Sequence, residues 1–298
     1  MTNVLAAAAA RQEFMDAVAG LRPELHRYCA RMTGSVFDGE DVVQDTLAKA
    51  WYALAELESI PPLRAWLFRI AHNACMDLLR RYENRNVDGS MDVYDVADMR
   101  EASQMEQPPD ATRVEHALHM FASLPPVQRS ALALVDVLDL SLEESALTMG
   151  TTVGAVKSAL VRARQNVAAI SATRPVRPRH ADTARLRRYS DLFNARDWDG
   201  LRALFGEETR LDVVSRHQSR GKAAAQYFTK YAEVIPAEAL RTEVVLVEEL
   251  PLLAVYRPWF SNVPAYFVRI EWRDEQVALV RDFRYASYIV TEAVVVDA

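Results

Sequence analysis

The chain has 298 residues, half of them hydrophobic and 26% charged, with only 9 glycines. At roughly 150 residues per domain this is about two compact units with real cores, which excludes a disulfide-stapled miniprotein and a disordered or low-complexity chain. The two cysteines, Cys29 and Cys75, form no CxxC pair, so no metal or other cofactor is expected and a reducing, cytoplasmic setting fits; the net charge of −6 argues against a uniformly basic nucleic-acid clamp.

No run approaches the ~20 consecutive apolar residues of a membrane span, and the apolar stretch Leu5 to Ala10 has no basic residue before it, so neither a membrane segment nor an export signal is expected. From Asp41 to Leu54, Val43, Leu47, Ala50 and Leu54 recur at helical spacing and leave Asp41, Gln44, Asp45 and Lys49 on the remaining surface. The run Leu63 to Arg81 carries two stripes: Leu67, Ile70, Ala74 and Leu78 form an apolar one, and Trp66, Arg69, Asn73, Asp77 and Arg80 form another. With four arginines against one aspartate from Leu63 to Tyr82, this helix is +3. Arginines hold phosphates, an indole stacks on an unpaired base and an amide reads base edges, so the second stripe suits opened nucleic acid; read alone, it also fits a rim tryptophan among ordinary surface charges.

Between Asn86 and Asp110 seven acidic residues face Arg100 alone, a local charge of −6, among Gly89, Ser90, Pro108 and Pro109. This reads as a solvated linker. Beyond it, Leu124-Pro125-Pro126 opens a helix with Val127, Ala131, Leu134 and Leu138 on one face. Ser141 with Glu144 three residues on has the pattern of a capping box, Gly150 supplies a positive-φ turn, and Thr152 caps a helix whose Val156, Ala159 and Leu160 face its predecessor. From Thr152 to Asn166 the charges are Lys157, Arg162 and Arg164 with no acid. That is a helix-turn-helix with a basic second helix, suited to a major groove.

Ser171 to His180 packs two prolines and three arginines into a stretch that cannot sustain a helix. After it, Leu186, Tyr189, Leu192 and Phe193 mark an amphipathic helix, Trp198, Leu201, Leu204 and Phe205 a shorter one, and Thr209 to Ser215 a strand. A helix is expected from Gly221 to Val234. Tyr266, Val268, Ile270 and Trp272 alternate with Phe267, Arg269, Glu271 and Arg273, and a turn at Asp274-Glu275-Gln276 leads into Val277, Leu279, Arg281 and Phe283. Helices over a curved antiparallel sheet enclose a cone, whose cavity residues are read as Asp212, His217 and Trp272. Asp212 and His217 have the residue types of an acid–base pair, though a satisfied polar pair is the simpler reading.

The segment Gly39-Glu40-Asp41-Val42-Val43-Gln44-Asp45-Thr46, with Lys49-Ala50-Trp51 and Arg64-Ala65-Trp66-Leu67-Phe68-Arg69-Ile70-Ala71-His72-Asn73, resembles region 2 of an extracytoplasmic-function sigma factor. The resemblance implies that Asp41, Gln44 and Asp45 face the clamp of RNA polymerase core, and that Trp66, Arg69, Asn73, Arg80 and Arg81 meet the minus-ten element of promoter DNA. Leu124 to Arg129 and Ala155 to Arg164 resemble sigma region 4, which implies contact with the polymerase flap and reading of the minus-thirty-five element by Thr151, Thr152, Val153, Lys157, Ser158 and Arg162. The order of elements after Thr183 and the segment Leu192 to Phe205 resemble a SnoaL-like domain, a fold also used by polyketide cyclases. In some sigma factors of this family such a domain stands in for a separate anti-sigma protein.

The expected architecture is therefore multi-domain: an all-α region 2 bundle over 1–85, an acidic linker over 86–112, an all-α region 4 helix-turn-helix over 113–171, a Pro/Arg linker over 172–182, and an α+β SnoaL-like cone over 183–298. The expected function is that of a non-enzymatic promoter-specificity subunit. Its cone contacts the sigma modules and regulates them, with a small-molecule ligand left open and no membrane partner. A ligand-sensing helix-turn-helix regulator acting without polymerase is the alternative; it leaves Asp41 to Trp51 without a role.

Overall fold

The computed structural model describes residues 2–54, 62–87, 118, 120–169, 183–229, 239–248, 250–293 and 295–297. The acidic and Pro/Arg linkers expected from the sequence lie outside them, except for residues 86–87, which close a helix. The chain divides into two compact units, one built from its helical first part and one containing the sheet.

In the first unit, α1 (Thr2–Thr33), α2 (Val36–Leu54) and α3 (Leu63–Val87) pack around Leu25, Tyr28, Cys29, Val43, Leu67 and Phe68. Gly34, at φ 83°, turns the chain out of α1. Gly39 lets α2 approach closely: a Cβ there would stand 2.6 Å from the backbone nitrogen of Ala30, so any side chain would push the helices apart. The apolar stripes expected on α2 and α3 face this core, but the covered arc of α3 is wider than that stripe, taking in Phe68, Ala71, His72 and Cys75.

The reason is the second helical module. It consists of α4 (Pro126–Leu132), a π-turn over Ala133–Val137, α5 (Leu142–Met149) and α6 (Val153–Ala169). Instead of standing apart beyond a linker, α4 and α5 lie against α1 and α3, and their apolar side chains join the same core. Pro126 occupies the first turn of α4, where a missing N–H costs nothing. Val127 departs from the expected face: in that first turn it is 50% exposed, while Ala131 and Leu134 are fully buried. The capping box at α5 forms as its sequence specifies. Glu144 N–H donates to Ser141 Oγ at 3.1 Å, Ser141 N–H donates to Glu144 Oε2 at 2.8 Å, and Gly150 closes the helix at φ 63°. Thr152 Oγ1 accepts from Ala155 N–H at 3.2 Å, which starts α6.

The second unit places α7 (Ala184–Asn194) and α8 (Trp198–Ala203) over a sheet of β1 (Phe205–Val213), β2 (His217–Arg220), β3 (Arg241–Val247), β4 (Leu250–Tyr256), β5 (Tyr266–Arg273), β6 (Gln276–Asp282) and β7 (Val296–Asp297). Short helices α9 (Lys222–Ala225) and α10 (Ile289–Glu292) complete it; α9 is the described start of the helix expected to Val234. The seven strands run in the order β2-β1-β6-β5-β4-β3-β7. The sheet is mixed and not wholly antiparallel as expected, because β1 runs parallel to β6. Asp197 caps α8 through Gly200 N–H at 2.8 Å, and Ser190 and Asn194 tie α7 to Thr242 on β3. The space between helices and sheet is filled by Tyr189, Phe193, Trp198, Phe205 and Phe228, whose ring centroids lie 5.2–6.3 Å apart in successive contacts.

Candidate nucleic-acid interface

On α3, Arg69, Asn73, Asp77, Arg80 and Arg81 are exposed, while the helix is held from behind by Leu67, Phe68, Ala71 and Cys75. Arg69 and Arg80 stand about 16 Å apart along the axis at 1.5 Å per residue. Arg80 pairs loosely with Asp77 at 3.3 Å, both ends in solvent, so the guanidinium remains available to a phosphate. Trp66 differs from the rest of the row: it is half-buried and packs against the core of the unit. The row therefore offers guanidiniums and an amide freely, with the indole at its inner rim.

Asp41 and Asp45 are exposed on α2, on the stripe that also carries Tyr52, 76% exposed, while Gln44 is half-buried beside them. Lys49, also exposed, lies between Asp45 and Tyr52 on this stripe, so the face carries two carboxylates, one ammonium and an aromatic end. Thr151 and Thr152, just before α6, and Lys157, Ser158 and Arg162 on it are exposed, and Val153 is half-buried. Val161, 53% exposed between Ser158 and Arg162, belongs to the same face, although the sequence reading omits it. Arg164 behaves differently: its guanidinium donates to Asp136 at 2.6 and 3.0 Å, which raises its pKa and ties α6 to the π-turn. Of the three basic residues that gave this helix its charge, Lys157 and Arg162 face outward unencumbered by such a clamp.

Three further polar residues escape sequence inspection because they act inward. Tyr28 on α1, His72 on α3 and Ser130 on α4 form a buried node, with the Tyr28 hydroxyl 2.8 Å from both His72 Nδ1 and Ser130 Oγ, and Ser130 Oγ 3.1 Å from His72 Nδ1. Burial lowers the His72 pKa to about 4, so the ring is neutral. Beside it, Cys29 is pushed well up, first by desolvation and then by its hydrogen bond with Cys75, so this thiol is unreactive.

In the second unit, Asp212 and His217 are not brought together. Leu211 and Val213 point into the helix-covered core, so Asp212 between them points to the other face, where it meets Arg281 at 3.3 Å. His217 pairs in register with Val213, placing it on the opposite side from Asp212, and it is exposed. Trp272 packs on the helix-covered side under the Arg185 guanidinium, 5.7 Å from its ring centroid. The buried acid on that side is Asp282. Its carboxylate accepts from the Tyr227 hydroxyl, from Arg284 Nε at 2.6 Å and from Arg284 N–H at 2.9 Å. Among the described residues no cluster of His, Cys, Asp or Glu could hold a metal ion, and no helix is long and apolar enough to cross a membrane.

Residues 17–85 match the Sigma-70 region 2 family and residues 116–167 the Sigma-70 region 4 family. Over 225 residues the chain is 35% identical to the ECF RNA polymerase sigma factor SigG of Mycobacterium tuberculosis, a match covering 66% of this chain and 60% of SigG, so it spans less than two thirds of that relative. It is 33% identical over 162 residues to SigL of the same organism, covering 54% of this chain and 90% of that one. Among solved structures, the extracytoplasmic function sigma factor SigJ of Mycobacterium tuberculosis aligns with a TM-score of 0.36 and 19% identity, covering 92% of this chain and 98% of the other.

Proposed function

Because the chain belongs to the extracytoplasmic-function RNA polymerase sigma factors, we propose that it joins core RNA polymerase and directs it to promoters, opening DNA with α3 and anchoring upstream with α6. The observation that carries this reading is the α3 face: Arg69, Asn73, Arg80 and Arg81 are displayed outward from a helix whose opposite side is locked in the core. A rigid helix presenting guanidiniums and an amide in one row holds a separated strand by its phosphates and reads an extruded base, with Trp66 at the rim as the stacking surface. Asp41, Gln44 and Asp45 are the polymerase-facing residues of α2. Thr151, Thr152, Val153, Lys157, Ser158 and Arg162 enter the major groove of the upstream element, with Lys157 and Arg162 as phosphate anchors.

The second unit is read as a SnoaL-like regulatory domain acting on the sigma modules. Its helices over a seven-stranded sheet support that reading, as does the aromatic filling of the space between them. The separation of Asp212 from His217 onto opposite faces removes the pair on which an enzymatic role would depend. In this reading the polymerase supplies all the chemistry. Run-off transcription with core polymerase tests it: the full chain should confer promoter-dependent initiation, and a chain that binds promoter duplex equally well without core would instead be a stand-alone regulator.

A further inference from the structure

The helix-covered interior of the second unit, where the sequence places a cavity, is filled by aromatic rings. Open space lies instead beside β1, as a cavity of about 540 Å³ between that strand and the β5–β6 turn. Phe205 pairs with Val277 but Arg210 with Leu279, so five steps along β1 answer two along β6 and the chain bows away from its neighbour. Thr209 pins the bow: its hydroxyl accepts from Gly206 N–H at 2.8 Å and donates to the Val277 carbonyl at 2.6 Å. On the other wall, Arg185 of α7 donates to the Asp274 carbonyl at 2.5 Å and steadies the turn.

Charge around this cavity is not balanced within the fold. Arg210 and Arg220 stand directly opposite each other on β1 and β2, and like charges so placed destabilise a sheet. Glu208 neutralises Arg220 and no more. Arg210, and Arg273 on the facing wall, make no hydrogen bond or ion pair among the described residues. The contrast within the same sheet is Arg269 opposite Arg281, where each guanidinium has its own carboxylate, Glu271 at 3.0 Å and Asp212 at 3.3 Å. Asp274 and Glu275 line the turn side of the cavity, and among the described residues their carboxylates are likewise unpaired.

Uncommitted guanidiniums and uncommitted carboxylates around one cavity specify a ligand with two kinds of group. Guanidiniums grip a phosphate through parallel N–H···O bonds, whereas ionised carboxylates only accept, so they suit hydroxyl donors and repel a bare polyanion. The volume is that of a small-molecule site. We propose that this cavity binds a phosphomonoester carrying hydroxyl groups, a sugar phosphate or a nucleoside monophosphate, with Arg210, Arg220 and Arg273 on the phosphate and Asp274 and Glu275 on the hydroxyls. The proposal gives a ligand class to the unit read above as regulatory and rests on that reading only for the ligand's purpose. Binding is measured without polymerase, so its failure and that of the sigma-factor reading stay separate.

Hydrogen exchange of the full chain, with AMP, ribose 5-phosphate or inorganic phosphate added in turn, locates each probe, and titration calorimetry gives its affinity. AMP or ribose 5-phosphate should protect segments 205–213 and 272–279 and bind about tenfold or more tightly than inorganic phosphate, a tenfold step being the equivalent of one charge-assisted hydrogen bond. Ribose 5-phosphate binding as well as AMP or better assigns the site to sugar phosphates; AMP binding alone assigns it to nucleotides. Arg210→Gln and Arg273→Gln should each weaken the tighter probe about tenfold, while Arg257→Gln, at an exposed position in the β4–β5 loop, should leave it unchanged. Without ligand, relief of the repulsion from Arg220 should keep the melting temperature of Arg210→Gln at or above that of wild type, whereas a structural strut would lose stability. A lowered melting temperature in that variant, unchanged affinity in both, equal affinity for inorganic phosphate, or protection absent from the two segments and confined to α3 and α6 overturns the site.

Discussion

The Tyr28 hydroxyl lies 2.8 Å from His72 Nδ1, joining two helices through side chains 44 residues apart in sequence. Because the ring is buried neutral with a pKa near 4 against 6.5 when solvated, the unfolded state takes up a proton that the folded state refuses. Stability is therefore full above about pH 6.5, falls as pH drops through the interval and levels off near pH 4, with a maximal loss of roughly 3 kcal/mol. Urea unfolding between pH 7 and 5, ahead of most carboxylate titration, should show this slope, and His72→Gln should flatten it. An equal slope in the variant would assign the titration to another group.

Replacing both Arg69 and Arg80 with alanine should abolish promoter melting, read by permanganate reactivity of unpaired thymines, while leaving affinity for core polymerase near that of wild type. Both side chains are exposed and neither supports the core, so the fold should lose no more than about 0.5 kcal/mol. Equal loss of melting and core binding would refute the division of labour between α3 and α2.

The basic residues of α6 should separate into two kinds. Lys157→Ala should weaken binding to upstream duplex for every sequence and reduce the salt slope by about 0.9, the signature of one lost phosphate contact. Arg164→Ala should leave that slope alone, because its guanidinium is clamped to Asp136. A full unit of lost slope for Arg164→Ala would mean that the clamp opens on DNA.

What the sequence disclosed and what it hid divide by range. Ser141, Glu144 and Gly150 announce a helix start and stop because each acts on backbone within a few residues. The stripe Leu67, Ala74 and the outward row Arg69, Asn73 and Arg80 follow from helical periodicity, which tells which side is covered. It does not tell by what: Ser130 reaches His72 across 58 residues, and Arg129 reaches Met32 across 97. The parallel pairing of β1 with β6 and the placing of Asp282, not Asp212, in the helix-covered interior are likewise matters of long-range register. Arg164 counted as groove charge because a sequence shows its sign and not its partner.

Ser141→Ala should cost about 1 kcal/mol, with the usual range for such caps being about 0.5–2 kcal/mol. The wild-type Glu144 carboxyl is held below the ordinary carboxylate range by Ser141 N–H and the Ser141 hydroxyl, in that order. A depressed acid stabilises above its unfolded pKa and loses that contribution as pH falls through its folded pKa. The penalty of the substitution should consequently be larger at pH 7 than at pH 3, measured by paired denaturant curves. A constant penalty would mean that Ser141 acts only by capping the Glu144 N–H.

In the second unit the two acids should differ sharply from the exposed histidine. Asp282 is fully buried and accepts from Tyr227 and from both the backbone and guanidinium of Arg284, whose charge also lies 5.1 Å from the Tyr227 ring centroid and 5.7 Å from that of Tyr266. Asp282→Ala would strand the half-buried guanidinium and a phenol together, a loss of about 3–5 kcal/mol, the cost of removing one member of a buried pair. Asp212→Ala removes a partner of Arg281 on the opposite face and should cost less, since both side chains keep some solvent. His217→Ala should change stability by no more than about 0.5 kcal/mol. If unit 2 regulates transcription through its folded surface, run-off output should change in the Asp282 variant and stay constant in the His217 one. Output that changed with His217 while Asp282→Ala was silent would instead place the regulatory contact at the exposed β2 edge.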